Sequence, residues 1–188
     1  MAYAIKCYFS EETATPIRRI WKDLADSGLA EFLKQSGSRP GITLGTWENA
    51  PEGDLIGLAG AFAEVCHEVP RVLTYGLATF PTDPAHVFLG VVPSDGLLGF
   101  HKRFHALDPR LSAACSLYYQ PGSWVPHSTL AIRCNPKYIS KIMERCLAYE
   151  TRMEARIDSI GVVEIGTARQ ISDTVFHSIF MDEAENSL

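Results

Sequence analysis

The run Pro126-His-Ser-Thr-Leu-Ala131 sets an imidazole and a hydroxyl two positions apart. On a β-strand, residues i and i+2 point to one face, so His127 and Thr129 project together. Imidazole gives or takes a proton near neutral pH, and a hydroxyl can hold a phosphate oxygen. A second run, Pro40-Gly-Ile-Thr-Leu44, has the same spacing 86 residues earlier (127 minus 41). There Thr43 stands in the place of Thr129 and Gly41 in the place of His127. Two facing His-x-Thr strands would suit phosphodiester chemistry without a metal. One imidazole would activate the nucleophile as base, and the other would protonate the leaving oxygen as acid. Gly41 carries no side chain and can transfer no proton, so the arrangement is short of one proton carrier.

The elements that must position these residues recur in the same order. A strand at 3–9 leads to a helix with Thr15 as cap, Pro16 in its first turn and an apolar face of Ile17, Ile20, Trp21 and Leu24. Ser10-Glu-Glu reads as a turn into it. A strand at 41–47, a helix marked by Leu55, Leu58, Ala59 and Phe62, and a strand at 71–80 follow. After the Pro81–Pro84 turn come a strand at 86–92 and a helix capped by Ser94, with Leu97, Phe100, Phe104 and Leu107 on its apolar face. A strand at 127–133, a helix opened by Asn135 and Pro136, and strands at 153–165 and 174–181 end the pattern. Residues 183–188 read as a frayed tail. Strand–helix–strand–helix–strand thus appears twice, which predicts one duplicated domain over 1–188, with lobes of about 1–82 and 83–188. The expected fold class is α+β. Each of two pseudo-twofold-related lobes carries a mainly antiparallel sheet with outer helices, and the two sheets form a central cleft.

Composition narrows the function classes. The formal net charge is −5 and there is no long Lys/Arg run, which argues against an extended duplex as ligand. No stretch reaches about 18 apolar residues and the N-terminus lacks a signal-peptide core, so a cytoplasmic protein without membrane attachment is expected. Five cysteines without a Cys-x-x-Cys pair predict reduced, buried thiols rather than disulfides or a zinc site. No cofactor or metal is implied. His101 and His105 have the i, i+4 spacing of a metal pair, but no third ligand is evident and they read as helix-surface histidines. Tyr118, Tyr119 and Trp124 fit either a base-stacking cleft wall or loop anchors. His177, on the last strand, reads as an exposed strand residue, or as a stand-in for the missing acid–base group if that strand borders the cleft.

The run Tyr119-Gln-Pro-Gly-Ser-Trp-Val-Pro-His-Ser-Thr-Leu-Ala131 resembles the second signature of the 2H phosphoesterase superfamily, in its bacterial 2′,5′-RNA ligase branch. Arg39-Pro-Gly-Ile-Thr-Leu44 resembles its first signature, with Gly41 in place of histidine. Residues 71–98, with Gly76, Phe80, Pro81 and Ser94-x-x-Leu97, resemble the middle of that family, and the likeness extends from residue 3 to about 181. It implies a cyclic phosphodiesterase or reversible RNA ligase. His127 would then be one acid–base residue, Thr129 and Thr43 phosphate anchors, and Gly41 and Tyr119 part of the substrate site. The ligand implied is a nucleotide or RNA-end phosphate. A cleft that binds such a ligand without catalysis is the alternative, since Gly41 removes one acid or base. On this reading Gly41→His would raise phosphodiesterase activity if the substrate still binds.

Overall fold

A computed structural model describes residues 1–177 of the chain. Strand β1 (Tyr3–Phe9) is followed by α1 (Glu11–Asp26), a short α2 (Phe32–Gln35), β2 (Gly41–Trp47), α3 (Glu52–Val65) and β3 (Val72–Phe80). Then come β4 (Ala85–Val91), α4 (Asp95–Leu107), α5 (Pro109–Ala114), β5 (His127–Cys134), α6 (Ile139–Cys146), β6 (Glu154–Ala155), β7 (Ile157–Glu164) and β8 (Thr174–Val175). The fold is α+β, with two four-stranded antiparallel sheets ordered β2-β1-β7-β8 and β5-β4-β3-β6. Residues 178–181 of the expected last strand, and the expected frayed tail, lie outside the described residues.

The sheets do not divide the chain at residue 82. β3, the last strand of the first half, pairs with β4 in the second sheet, and β7 of the second half pairs with β1 in the first. Each half thus gives its third strand to the other. The expected single strand over 153–165 is two strands broken at Arg156: β6 pairs with β3, and β7 pairs with β1. A continuous stretch of chain therefore bridges both sheets, and the two lobes share one buried apolar cluster.

Alternation explains how two faces are served at once. On β1, Ile5, Cys7 and Phe9 enter the core, while Ala4, Lys6 and Tyr8 face the space between the sheets. On β2, Ile42 and Leu44 enter the core, while Gly41 and Thr43 face that space. α3 packs on β7 and β1, and α6 packs on β4 and β3. Phe62 of α3 meets Phe100 and Phe104 of α4 edge-to-face at 4.9 and 5.3 Å, contacts worth about 0.5–1.5 kcal/mol each beyond area burial.

Helix α1 starts four residues before the expected cap at Thr15. Ser10 caps it, its Oγ accepting from the Thr13 N–H, and Glu11 and Glu12 put negative charge at the positive end of the helix dipole. Pro16 then sits within the helix. The Ser94 cap is as expected, its Oγ accepting from the Leu97 N–H at 3.3 Å. All five cysteines are free and buried. Among the described residues, no helix is long and apolar enough to cross a membrane.

Candidate phosphate-handling cleft

β2 and β5 lie at the edges of their sheets and against each other. This contact brings the two short runs together. Gly41, Thr43, Tyr119, His127 and Thr129 all line one cleft of about 300 Å³. A larger depression of about 700 Å³ near Trp47 and Arg110 holds no histidine, and Arg110 is already paired with Asp54 at 2.8 Å.

As edge strands, β2 and β5 carry carbonyls that no neighbouring strand takes up. Two indoles bind the ones that matter here. Trp21 of α1 donates its Nε1–H to the Thr129 carbonyl at 3.0 Å. Trp124, just before β5, donates to the Thr43 carbonyl at 2.9 Å. Each threonine backbone is thereby pinned, Thr129 by an indole of the cleft wall and Thr43 by one outside it. Among the described residues neither threonine hydroxyl has a hydrogen-bond partner, so both are free to hold a ligand oxygen.

The His127 ring is held in one tautomer. Its Nδ1 lies 2.7 Å from the Val125 carbonyl, which can only accept, so Nδ1 carries the proton and Nε2 presents a lone pair. The ring packs on Phe88 and Phe80, with centroids 4.8 and 5.2 Å away. Burial lowers its pKa below the usual histidine value. The Val125 hydrogen bond opposes that shift, and Lys6 and His86 add to it. At neutral pH it is a neutral imidazole, poised as a base.

The first sheet presents a different wall. Tyr8 is directly opposite Gly41 on the paired strand, as Gly90 is opposite His127 in the second sheet. The bulky and the small residue have changed places between the two pairs. Tyr8 is 1% exposed, and its hydroxyl donates to Gln170 Oε1 at 2.8 Å. The Arg39 guanidinium stacks on its ring at 4.1 Å and pairs with Asp173 at 2.6 Å. Burial pushes the Tyr8 phenol up to about 12, so it stays protonated. Gly41 is therefore no vacant slot. A Cβ there falls inside contact distance of the Cys7 carbonyl oxygen and 3.0 Å from the Tyr8 Cα. The geometry argues against the expectation that Gly41→His supplies a proton carrier, because β1 backbone occupies the space through which that side chain would leave.

Three cations line the cleft in a chain of net charge −5: Lys6, Arg39 and Arg133. Arg133 has φ 61°, a left-handed backbone that swings its guanidinium over the Phe32 ring at 4.0 Å and to the Gly166 carbonyl at 2.9 Å. Among the described residues, neither Lys6 nor Arg133 has a carboxylate within ion-pair distance. His86 is a second imidazole in the cleft, with its pKa lowered by burial. Motifs alone pass over Lys6, Tyr8, His86 and Arg133. The one available signal is Lys6, a single charge in an otherwise apolar or aromatic strand, with Tyr8 two residues on.

The other candidates sort clearly. Tyr119 is half-buried in the cleft wall, its phenol pushed up to about 12 by burial. Tyr118 is 83% exposed and faces away. His101 and His105 are not surface histidines. They are buried, and both Nε2 atoms reach the Leu44 carbonyl, at 3.0 and 3.2 Å. They occupy the side of β2 away from the cleft, where His101 stacks on Trp124 at 4.0 Å. His177 is exposed and outside the cleft. Among the described residues no group of three or more His, Cys, Asp or Glu is placed to hold a metal ion.

No family model matches the chain, and no curated protein sequence matches it. Solved structures do. The protein TT0787 of Thermus thermophilus superposes with a TM-score of 0.58 at 14% identity, over 95% of this chain and 99% of its own. A protein described as a phosphoesterase superposes with a TM-score of 0.52 at 13% identity, over 93% of this chain and 97% of its own. At these identities the likeness is one of fold.

Proposed function

We propose that this cleft binds the phosphate of an RNA end or small nucleotide, and that the chain is a 2H-type phosphoesterase. Its reaction would be that of a metal-independent cyclic phosphodiesterase or a 2′,5′-RNA ligase-like enzyme. One observation carries the reading. Thr43 from one sheet, and Thr129 and His127 from the other, converge on a single cleft that also holds two cations, Lys6 and Arg133, without a carboxylate partner among the described residues. The two hydroxyls and the cations suit phosphate oxygens. The Nε2 lone pair of His127 suits the proton of an attacking hydroxyl or water. Tyr119, on the wall beside them, offers an aromatic surface for a base or sugar.

The test is hydrolysis of the four 2′,3′-cyclic nucleotides, and of a short RNA with a 2′,3′-cyclic phosphate end, by wild type and His127→Ala. Loss of a positioned base should lower kcat about 10²–10⁴-fold. Equal rates for the two proteins would sink the enzymatic reading. The glycine at 41 favours one other reading, a binding module without turnover. It predicts that calorimetry detects 2′- or 3′-nucleotides in the cleft while no cyclic phosphate is opened.

A further inference from the structure

We propose that Lys6 is the second catalytic residue of this cleft, an ammonium donating its proton to the leaving oxygen of a phosphodiester while His127 takes the proton of the nucleophile. The inference rests on the phosphodiester reading above and supplies the proton carrier that Gly41 lacks.

Position comes first. Lys6 is opposite Thr43 across the β1–β2 ladder, as Phe88 is opposite Thr129 across β4–β5. The two sheets thus offer matched threonines, and beside one of them a phenyl ring is replaced by an ammonium. In-line displacement at phosphorus needs base and acid on opposite sides of the phosphate. His127 belongs to the second sheet and Lys6 to the first, so a phosphate held by Thr43 and Thr129 lies between them. His86 shares the second sheet with His127 and approaches from the same side.

Lys6 is also free to act. Its Nζ donates one hydrogen bond, to the Arg39 carbonyl at 3.2 Å. An ammonium has three N–H groups, which leaves two. Among the described residues no carboxylate neutralises it. Lys6 is half-buried, and holding an ammonium with no carboxylate partner even partly away from water is costly; such groups cluster at functional sites. The charged and titratable groups around it are Tyr8 in its own sheet, Arg39 in the loop before β2, Glu164 on β7, Tyr119 ahead of β5, and His86, His127 and Arg133 in the second sheet. Burial, and then the Arg39 charge, lower the Lys6 pKa to about 8. At pH 7 it still carries its proton, whereas both cleft imidazoles, shifted below their usual value, do not. An acid with a pKa near the working pH transfers its proton best.

The step balances. The water oxygen bonds to phosphorus, and its proton passes to His127 Nε2. The bond from phosphorus to the 2′ or 3′ oxygen breaks, and that oxygen takes a proton from Lys6 Nζ. Exchange through solvent returns the proton from imidazolium to amine.

The test measures kcat against pH from 5.5 to 9.5, with 2′,3′-cyclic nucleotides, for wild type, Lys6→Met and Lys6→Arg. Circular dichroism and calorimetric binding of 3′-nucleotide check that each variant folds and binds. Wild type should show a bell-shaped profile with an alkaline limb near pH 8. Lys6→Met should lose about 10²–10⁴-fold in kcat while its KM changes far less. Lys6→Arg should be slowed and should lose the alkaline limb, because a guanidinium keeps its proton throughout this range. A Lys6→Met kcat within a few-fold of wild type, beside an inactive His127→Ala, overturns the role of Lys6 alone. So does an alkaline limb that survives Lys6→Arg. No turnover by wild type on any of these substrates, or equal turnover by His127→Ala, overturns the phosphodiester reading and this one with it.

Discussion

Replacing Gly41 by alanine probes how closely β1 and β2 approach at the cleft. The new Cβ falls inside contact distance of the Cys7 carbonyl oxygen and 3.0 Å from the Tyr8 Cα. Both are backbone atoms, so no side-chain rotation relieves the clash, and relief requires about 1 Å of strand movement to reach ordinary contact. That movement strains the neighbouring bond from the Phe9 N–H to the Pro40 carbonyl, 3.1 Å long. Overpacking of this kind costs about 1–3 kcal/mol. A Gly→Ala change in a relaxed site gains about 0.4–1 kcal/mol through the unfolded chain, and that gain is offset here. For a chain of this size, each kcal/mol moves Tm by about 2–4 °C, so Tm should fall by about 2–12 °C. Gly57→Ala is the internal control. Gly57 is exposed on α3 with nothing within 4 Å of a new Cβ, so Ala should raise stability by about 0.5–1 kcal/mol. Calorimetric melts of the two variants beside wild type decide the matter. Gly41→His should be at least as destabilised as Gly41→Ala and gain no phosphodiesterase rate. A Gly41→Ala protein as stable as wild type, or a Gly41→His protein with raised activity, refutes the close approach.

Acid should destabilise the fold through His101. Its pKa is lowered to about 4, chiefly by burial and then by His105, against about 6.5 in the unfolded chain. The unfolded state therefore takes up a proton first as pH falls. The contribution is whole above about pH 6.5 and is lost toward pH 4, about 3 kcal/mol in all and about 2 kcal/mol by pH 5. Urea unfolding at pH 7 and pH 5 reads this, and a His101→Gln variant should lose less between the two. Trp124→Phe removes the donor to the Thr43 carbonyl and should cost about 1–3 kcal/mol through the unpaired edge carbonyl. It should also weaken 3′-nucleotide binding by loosening Thr43. A melt and a calorimetric titration check both effects, and unchanged affinity despite a lowered Tm would remove Trp124 from the site's support.

Much of the frame was legible in the residues. The spacing of Gly41 and Thr43, and of His127 and Thr129, follows from strand alternation, which is local, and it placed each pair on one strand face. Apolar periodicity marked the main helices and strands for the same reason, and Ser94 could be read as a cap from its own neighbourhood. What lay beyond reach was decided by partners distant in sequence. The exchange of β3 and β7 between sheets, and the break at Arg156, depend on which strand lies beside which. His101 and His105 have the spacing of a surface pair, yet the Leu44 carbonyl at an uncovered sheet edge draws them inward. The site itself shows the division most plainly. A missing imidazole at 41 is visible in the sequence. That β1 backbone closes the gap, with Tyr8 opposite and Lys6 two pairing steps along, depends on the register of two antiparallel strands. Register is a property of packed sheets: a one-residue slip would turn Lys6 into the core and leave the cleft without it.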